Sequence, residues 1–151
     1  MKIENEFLFQ GNREKVWEAL MDPKLLAKAI PGTESLEQTG EDEYSGLLRV
    51  GIGPVSGKFT IQIKLTDKTH PESFKMQISA KGIPGFVNGL ANIELAEESE
   101  NSTLMKYTAE LSIGGKIAIV GQRLLDCVGT SMTKQGLEAL NKELQIKLKD
   151  K

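Results

Sequence analysis

Residues 116–147 read KIAIVGQRLLDCVGTSMTKQGLEALNKELQIK, and within this run the apolar positions recur at helical spacing. With each residue advancing about 100° around the axis, Ile117, Gly121, Leu124, Leu125, Val128, Met132, Ala139 and Ile146 share one sector. Gly129 and Gly136 fall at its edge, and Arg123, Asp126, Thr130, Lys134 and Asn141 lie opposite. A helix of about 32 residues spans about 48 Å. Each glycine inside it costs roughly 1 kcal/mol against alanine. Their place near the buried face has two readings: a neighbour packs very closely there, or space is left open.

Upstream the period changes to two. In Ser56–Thr66, Phe59, Ile61, Ile63 and Leu65 alternate with Lys58, Thr60, Gln62 and Lys64, which is a strand with one buried face. Ser35–Thr39, Tyr44–Ile52, Ser73–Lys81, Phe86–Glu97 and Thr103–Ile113 are further strands. Their punctuation is Gly40-Glu41-Asp42, Gly53-Pro54, His70-Pro71-Glu72, Ile83-Pro84-Gly85 and Glu98–Ser102. Short strands joined by tight turns predict antiparallel pairing in sequence order.

The opening segment alternates as well, with Ile3, Asn5, Phe7 and Phe9 on one side. After Gln10-Gly11, Asn12 is placed to cap a helix carrying Val16, Trp17, Leu20 and Met21. Asp22-Pro23 starts a second short helix with proline at its tolerated first position. Its apolar side is Leu25, Leu26, Ala29 and Ile30, and Pro31-Gly32 stops it. The expected architecture is a single α+β domain over residues 1–151. A curved antiparallel sheet of six to seven strands wraps a long C-terminal helix, with two short helices after the first strand.

Composition narrows the function. The chain has 151 residues, 39% hydrophobic and 26% charged, with a net charge of −2 and no basic stripe suited to a phosphate backbone. Aromatics are 5%, too few for a base-stacking row. The lone Cys127 has no CxxC partner, fits a reduced cytoplasmic setting, and is expected to fill space within the helix. No signal peptide or apolar run long enough to cross a bilayer is read.

A catalytic set is also missing. His70 reads as a solvated turn residue beside Asp67 and Lys68, with no second histidine for a zinc site. Gly51-Ile52-Gly53-Pro54 lacks the GK[ST] of a phosphate loop and does not open a helix. Gly114-Gly115-Lys116 reads as a strand-to-helix turn, although a helix start there could also hold an anion. The polar residues with a chance of burial are Asn5, Tyr44, Asn88, Asn92, Tyr107 and Gln135. A pocket this poor in titratable groups favours binding over acid–base catalysis. No catalytic residue, metal ligand or cofactor is therefore expected.

Three strings carry a family resemblance. Ala29-Ile30-Pro31-Gly32-Thr33-Glu34-Ser35-Leu36-Glu37 resembles the loop after the second helix in the CoxG family of carbon monoxide dehydrogenase subunits. Gly53-Pro54-Val55 before Gly57-Lys58-Phe59 is similar to that family's next signature. Gly114-Gly115-Lys116-Ile117-Ala118 with Gly121-Gln122-Arg123-Leu124-Leu125-Asp126 resembles its third. The resemblance covers nearly the whole chain and implies the START-like (SRPBCC, Bet v 1-like) helix-grip fold. It implies an internal cavity for a small hydrophobic molecule, quinone- or lipid-like. As partners it implies subunits of a molybdenum hydroxylase of the CO dehydrogenase type, with a cytoplasmic place at or near the inner face of the membrane. Some members carry a C-terminal membrane-anchoring extension that is not seen after Lys151. Lys147, Lys149 and Lys151 are read as charges suited to a helix C-terminus.

The expected ligand contacts are Phe7, Trp17, Ile30, Leu48, Phe59, Ile61, Met76, Ile78, Phe86, Leu90, Tyr107, Gly121, Leu124, Val128 and Met132. Pro31-Gly32 and Ile83-Pro84-Gly85-Phe86 are expected mouth loops. Two alternatives stay open. One is a polyketide cyclase/dehydrase-like enzyme of the same superfamily, using Tyr44, Tyr107 or Gln135. The other is an accessory protein acting through surface contacts.

Overall fold

A computed structural model describes residues 1–149; Lys151, counted above among the terminal cations, lies outside the described residues. The chain runs β1 (Lys2–Phe9), α1 (Arg13–Met21), α2 (Pro23–Lys28), β2 (Thr33–Gly40), β3 (Glu43–Ile52), β4 (Val55–Thr69), β5 (Ser73–Gly82), β6 (Gly85–Ser99) and β7 (Ser102–Gly114). A 3-10 turn (Lys116–Val120) and α3 (Gln122–Lys149) complete it. The strands form one seven-stranded antiparallel sheet in the order β1-β7-β6-β5-β4-β3-β2. The two chain-distant neighbours, β1 and β7, pair from Lys2↔Glu110 to Phe9↔Thr103.

The local signals act as the residue chemistry requires. The Asn12 side chain accepts from the Lys15 N–H at 2.9 Å, capping α1. Asp22 caps α2 by accepting from the Lys24 N–H at 3.0 Å, with Pro23 in the first turn. Period-two alternation turns Phe59, Ile61, Ile63 and Leu65 inward, where all are buried. The α1 end of the grip is packed solid: Trp17 meets Phe74 edge-on at 5.5 Å, beside Phe9 and Val16, which are essentially inaccessible. Buried Thr103 donates its hydroxyl to the Gly11 carbonyl at 2.8 Å, fixing the β1–α1 corner to β7.

The long helix departs from expectation. It begins at Gln122, not Lys116, because Gly121 takes φ +98°, a conformation that ends the 3-10 turn and resets the axis. Ile117 therefore does not share the phase of α3. The buried residues of α3 are Leu125, Gly136, Leu137, Leu140 and Leu144, whereas Ile146 is exposed and Ala139 only half-buried. Gly129 and Gly136, expected at the edge of the stripe, lie on its inner face. A Cβ on Gly136 would stand 1.9 Å from the Ala29 carbonyl oxygen, and one on Gly129 would stand 2.5 Å from Met1 Cε. Both glycines serve close packing against neighbours. Cys127 is exposed on α3 and fills no core space.

Candidate functional site

The backbone of α3 comes close to β1 on one side and to β3 on the other, and makes no comparable approach to β4, β5, β6 or β7. The helix is thus seated on the rims of the curved sheet, while its Leu137, Leu140 and Leu144 share one buried core with Ile63, Phe74 and Ile93 of the middle strands. At one end of the span, α1 closes against β6 and β7. At the other, the 3-10 turn closes against β4, β6 and β7, with the Ile117 N–H donating to the Pro84 carbonyl at 2.9 Å.

The floor beneath α3 follows from the register. One row runs Leu65, Met76, Ala91, Ala109 and Ile3; the next runs Tyr44, Ile63, Ile78, Gly89 and Leu111. The β4 members are buried, but Met76, Ile78, Val87, Tyr107 and Ile113 are only partly buried though they face the core. These inward-facing side chains therefore keep apolar surface in reach of water on the α3 side of the sheet. Ala91 and Ala109 deepen that floor because each projects only a methyl group.

Among the expected contacts, Met76, Ile78 and Tyr107 lie on this floor, and Leu124, Val128 and Met132 are half-buried on α3. Phe7 faces inward on β1, its ring 4.8 Å from that of Phe9. Leu48, Phe59 and Ile61 are buried wall, Ile30 is half-buried after α2, and Trp17 belongs to the packed α1 end. Three expectations fail. Phe86 pairs with Lys81, and Leu90 with Gln77, so strand alternation puts both on the outer face, at 41% and 40% exposure. Gly121 belongs to no helix, and nothing stands within 4 Å of where its Cβ would be. Sequence reading missed Val87, Gly89, Ala91, Ala109, Leu111 and Ile113. Carrying the parity of Ile93 and Leu95 back through β6 would have found its members, and the same rule applies in β7.

The polar groups also sort by face. Asn88 and Asn92 are exposed on the outside of β6, and Gln135 is exposed on α3. Tyr44 is buried and donates its hydroxyl to the Met21 carbonyl at 3.4 Å, tying β3 to α1. Its phenol is raised above 10.0, first by burial and then by the Asp42 carboxylate. Burial alone raises Tyr107, whose hydroxyl has no protein partner among the described residues. Asn5 is its cross-strand neighbour. His70 sits in the β4–β5 turn, with Nε2 3.0 Å from Glu14 and its ring edge-on to Trp17 at 5.1 Å. Among the described residues no group of three or more His, Cys, Asp or Glu side chains could hold a metal ion.

Open depressions of about 590 and 850 Å³ lie on the outer face of the sheet. Glu43, Gln62, Lys64 and Gln77 line the first, and Glu4, Glu94 and Lys106 the second. Such polar walls do not suit an apolar guest. The candidate site is therefore the apolar surface on the α3 side of the sheet.

A seven-stranded antiparallel sheet gripping a long C-terminal helix, with two short helices after the first strand, is the START-like helix-grip fold. The family model for CoxG, a carbon monoxide dehydrogenase subunit, matches residues 6–145, and the chain belongs to that family. A conserved protein from Geobacillus kaustophilus is similar at 36% identity and a TM-score of 0.91, over 96% of this chain and 95% of that one. The Zhui aromatase/cyclase from Streptomyces sp. R1128 shares the fold at 16% identity and a TM-score of 0.71, over 98% and 95%. A START superfamily protein from Mycobacterium smegmatis does so at 11% and 0.69, over 95% and 97%. No protein of curated function matches the chain by sequence.

Proposed function

We propose that this chain binds and carries a small hydrophobic molecule, quinone- or lipid-like, between α3 and the concave face of the sheet. On this reading it performs no bond chemistry of its own. The observation that carries the proposal is the set of apolar side chains on the α3 side of the sheet that face the core yet stay only partly buried. Such a lining rewards transfer of an apolar guest from water by about 25 cal/mol for each Å² covered. Family membership supports a role accessory to a CO dehydrogenase-type molybdenum enzyme, at the inner face of the membrane. The test is mass spectrometry of an organic extract of the purified protein, paired with titration of an apolar fluorescent probe. An empty extract together with no probe uptake refutes the carrier reading.

One observation favours a second reading. Tyr107 is partly buried against the core and its hydroxyl has no protein partner among the described residues, and one fold neighbour is named an aromatase/cyclase. A cyclase-like enzyme would use that hydroxyl to hold or protonate a polyketide-like substrate. Turnover of such a substrate that is lost in Tyr107→Phe supports the enzyme; turnover that survives the substitution removes Tyr107 from it.

A further inference from the structure

At the end of the grip away from α1, the β5–β6 turn stacks on the 3-10 turn. The Ile117 N–H donates to the Pro84 carbonyl, and a Cβ on Gly115 would touch the Gly85 Cα. From these two stacked segments Ile83 and Ile119 project at 89% and 83% exposure, far beyond the other large apolar side chains on the surface. A single exposed aliphatic residue is ordinary. Two that are almost wholly solvated, on adjoining turns, form a distinct apolar tip.

The charge around that tip is mostly positive, the nearest carboxylate along α3 being Asp126, which accepts from Gln122 at 2.7 Å. The chain carries 21 Asp and Glu residues, yet residues 44–66, 73–93 and 111–125 contain none of them. These segments supply both turns and the neighbouring Gly53-Pro54 turn. Lys81, Lys116 and Arg123 flank the isoleucines and have no carboxylate partner among the described residues. Lys58, farther back, is engaged with Glu34 at 3.6 Å. A protein of net charge −2 thus presents one positive end, with two aliphatic side chains at its point.

We infer that this end docks on an anionic phospholipid bilayer. Ile83 and Ile119 enter the interfacial region, and Lys81, Lys116 and Arg123 meet the lipid phosphates. Apolar side chains flanked by cations are the pattern that combines burial with attraction to acidic lipid. Two isoleucines make the attachment weak and reversible. The docked end is the one that the 3-10 turn closes, so docking turns that end of the hollow toward the membrane. The surface itself does not depend on the hollow being filled.

The experiment is co-sedimentation with vesicles of phosphatidylcholine alone and of phosphatidylcholine mixed equally with phosphatidylglycerol. The protein is expected to bind the mixed vesicles, and added salt is expected to weaken binding. Ile83→Ser with Ile119→Ser should lower the partition coefficient about tenfold or more, and Lys116→Gln about fivefold. Both isoleucines are so exposed that the double variant should keep its fold, which near-ultraviolet circular dichroism verifies. As a second readout, Ile83→Trp should shift its added fluorescence to the blue on mixed vesicles only. No binding to mixed vesicles overturns the inference, as does undiminished binding of the double variant. A dimer that the double variant abolishes also overturns it, since the tip would then be covered by a second copy of the chain. Extracting ligand from the same preparation separates the two ideas. Retained ligand without vesicle binding sinks docking alone, and vesicle binding by an empty protein that takes up no probe sinks the carrier alone.

Discussion

Substituting alanine at Gly121, Gly129 and Gly136, one at a time, tests how the terminal helix is seated. Helix propensity alone treats the three alike and predicts a gain of about 1 kcal/mol each. The structure separates them. At Gly136 the new methyl would stand 1.9 Å from the Ala29 carbonyl oxygen, a backbone atom that cannot swing aside. A normal carbon–oxygen contact is about 3.3 Å, so α2 and α3 must part by roughly 1.4 Å. Overpacking of this kind costs about 1–3 kcal/mol, and the separation also loosens Leu137 and Leu140, so the expected net loss is about 2 kcal/mol. At Gly129 the methyl meets Met1 Cε at 2.5 Å and Ile3 Cδ1 at 3.0 Å, both ends of side chains. Met1 can move, so propensity dominates and Gly129→Ala is neutral or stabilising by up to about 1 kcal/mol. At Gly121 there is open space but φ is +98° with ψ 151°, a region that is essentially glycine-only, so strain of about 1–3 kcal/mol is the whole effect. Urea unfolding of the three variants gives the ranking directly, and about 2 kcal/mol corresponds to about 4–8 °C in Tm for a chain this long. If Gly136→Ala equals or exceeds the parent in stability, the close approach of α2 to α3 is wrong.

Three further outcomes are expected. Thr103→Val removes the hydroxyl bonded to the Gly11 carbonyl in a fully buried site and should cost about 1–3 kcal/mol in denaturant unfolding; an unchanged midpoint would deny that anchor. Tyr44 has its folded pKa above the unfolded value of 10.0, so its contribution to stability is complete below pH 10.0 and is lost as pH rises through the folded pKa. Stability measured against pH should therefore fall less steeply on the alkaline side in Tyr44→Phe, and parallel curves would contradict this. Ala109→Phe fills the floor beneath α3 and should suppress uptake of an apolar probe by tenfold or about 1.4 kcal/mol, while an equivalent outer-face change, Leu90→Phe, leaves it unaltered; equal effects of the two would move the site elsewhere.

Much of the fold was legible because the chain's local signals agree with one another. Asn12, Asp22 and Pro23 announce the short helices, and the alternation from Phe59 to Leu65 announces a one-sided strand. Paired turns set sequence-order pairing from β2 to β7. The candidate site was only half legible. Phe86 and Leu90 are large apolar residues of β6, but alternation there is set by Ile93 and Leu95, which put the small residues Gly89 and Ala91 inside. The helix stripe was misphased because Ile117 was counted with residues beyond Gly121, where the axis breaks.

The sequence by itself determined the order and type of the elements, since caps, turns and periodicity act over a few residues and need no distant partner. It also showed that the chain holds one histidine and one cysteine. The seating of α3 on β1 and β3 was decided only by the tertiary structure. So were the Gly136–Ala29 contact and the stacking of the turns that carry Ile83 and Ile119. Each depends on segments far apart in the chain being brought together by β1 pairing with β7 and by the curvature of the closed grip. No local pattern encodes that distance.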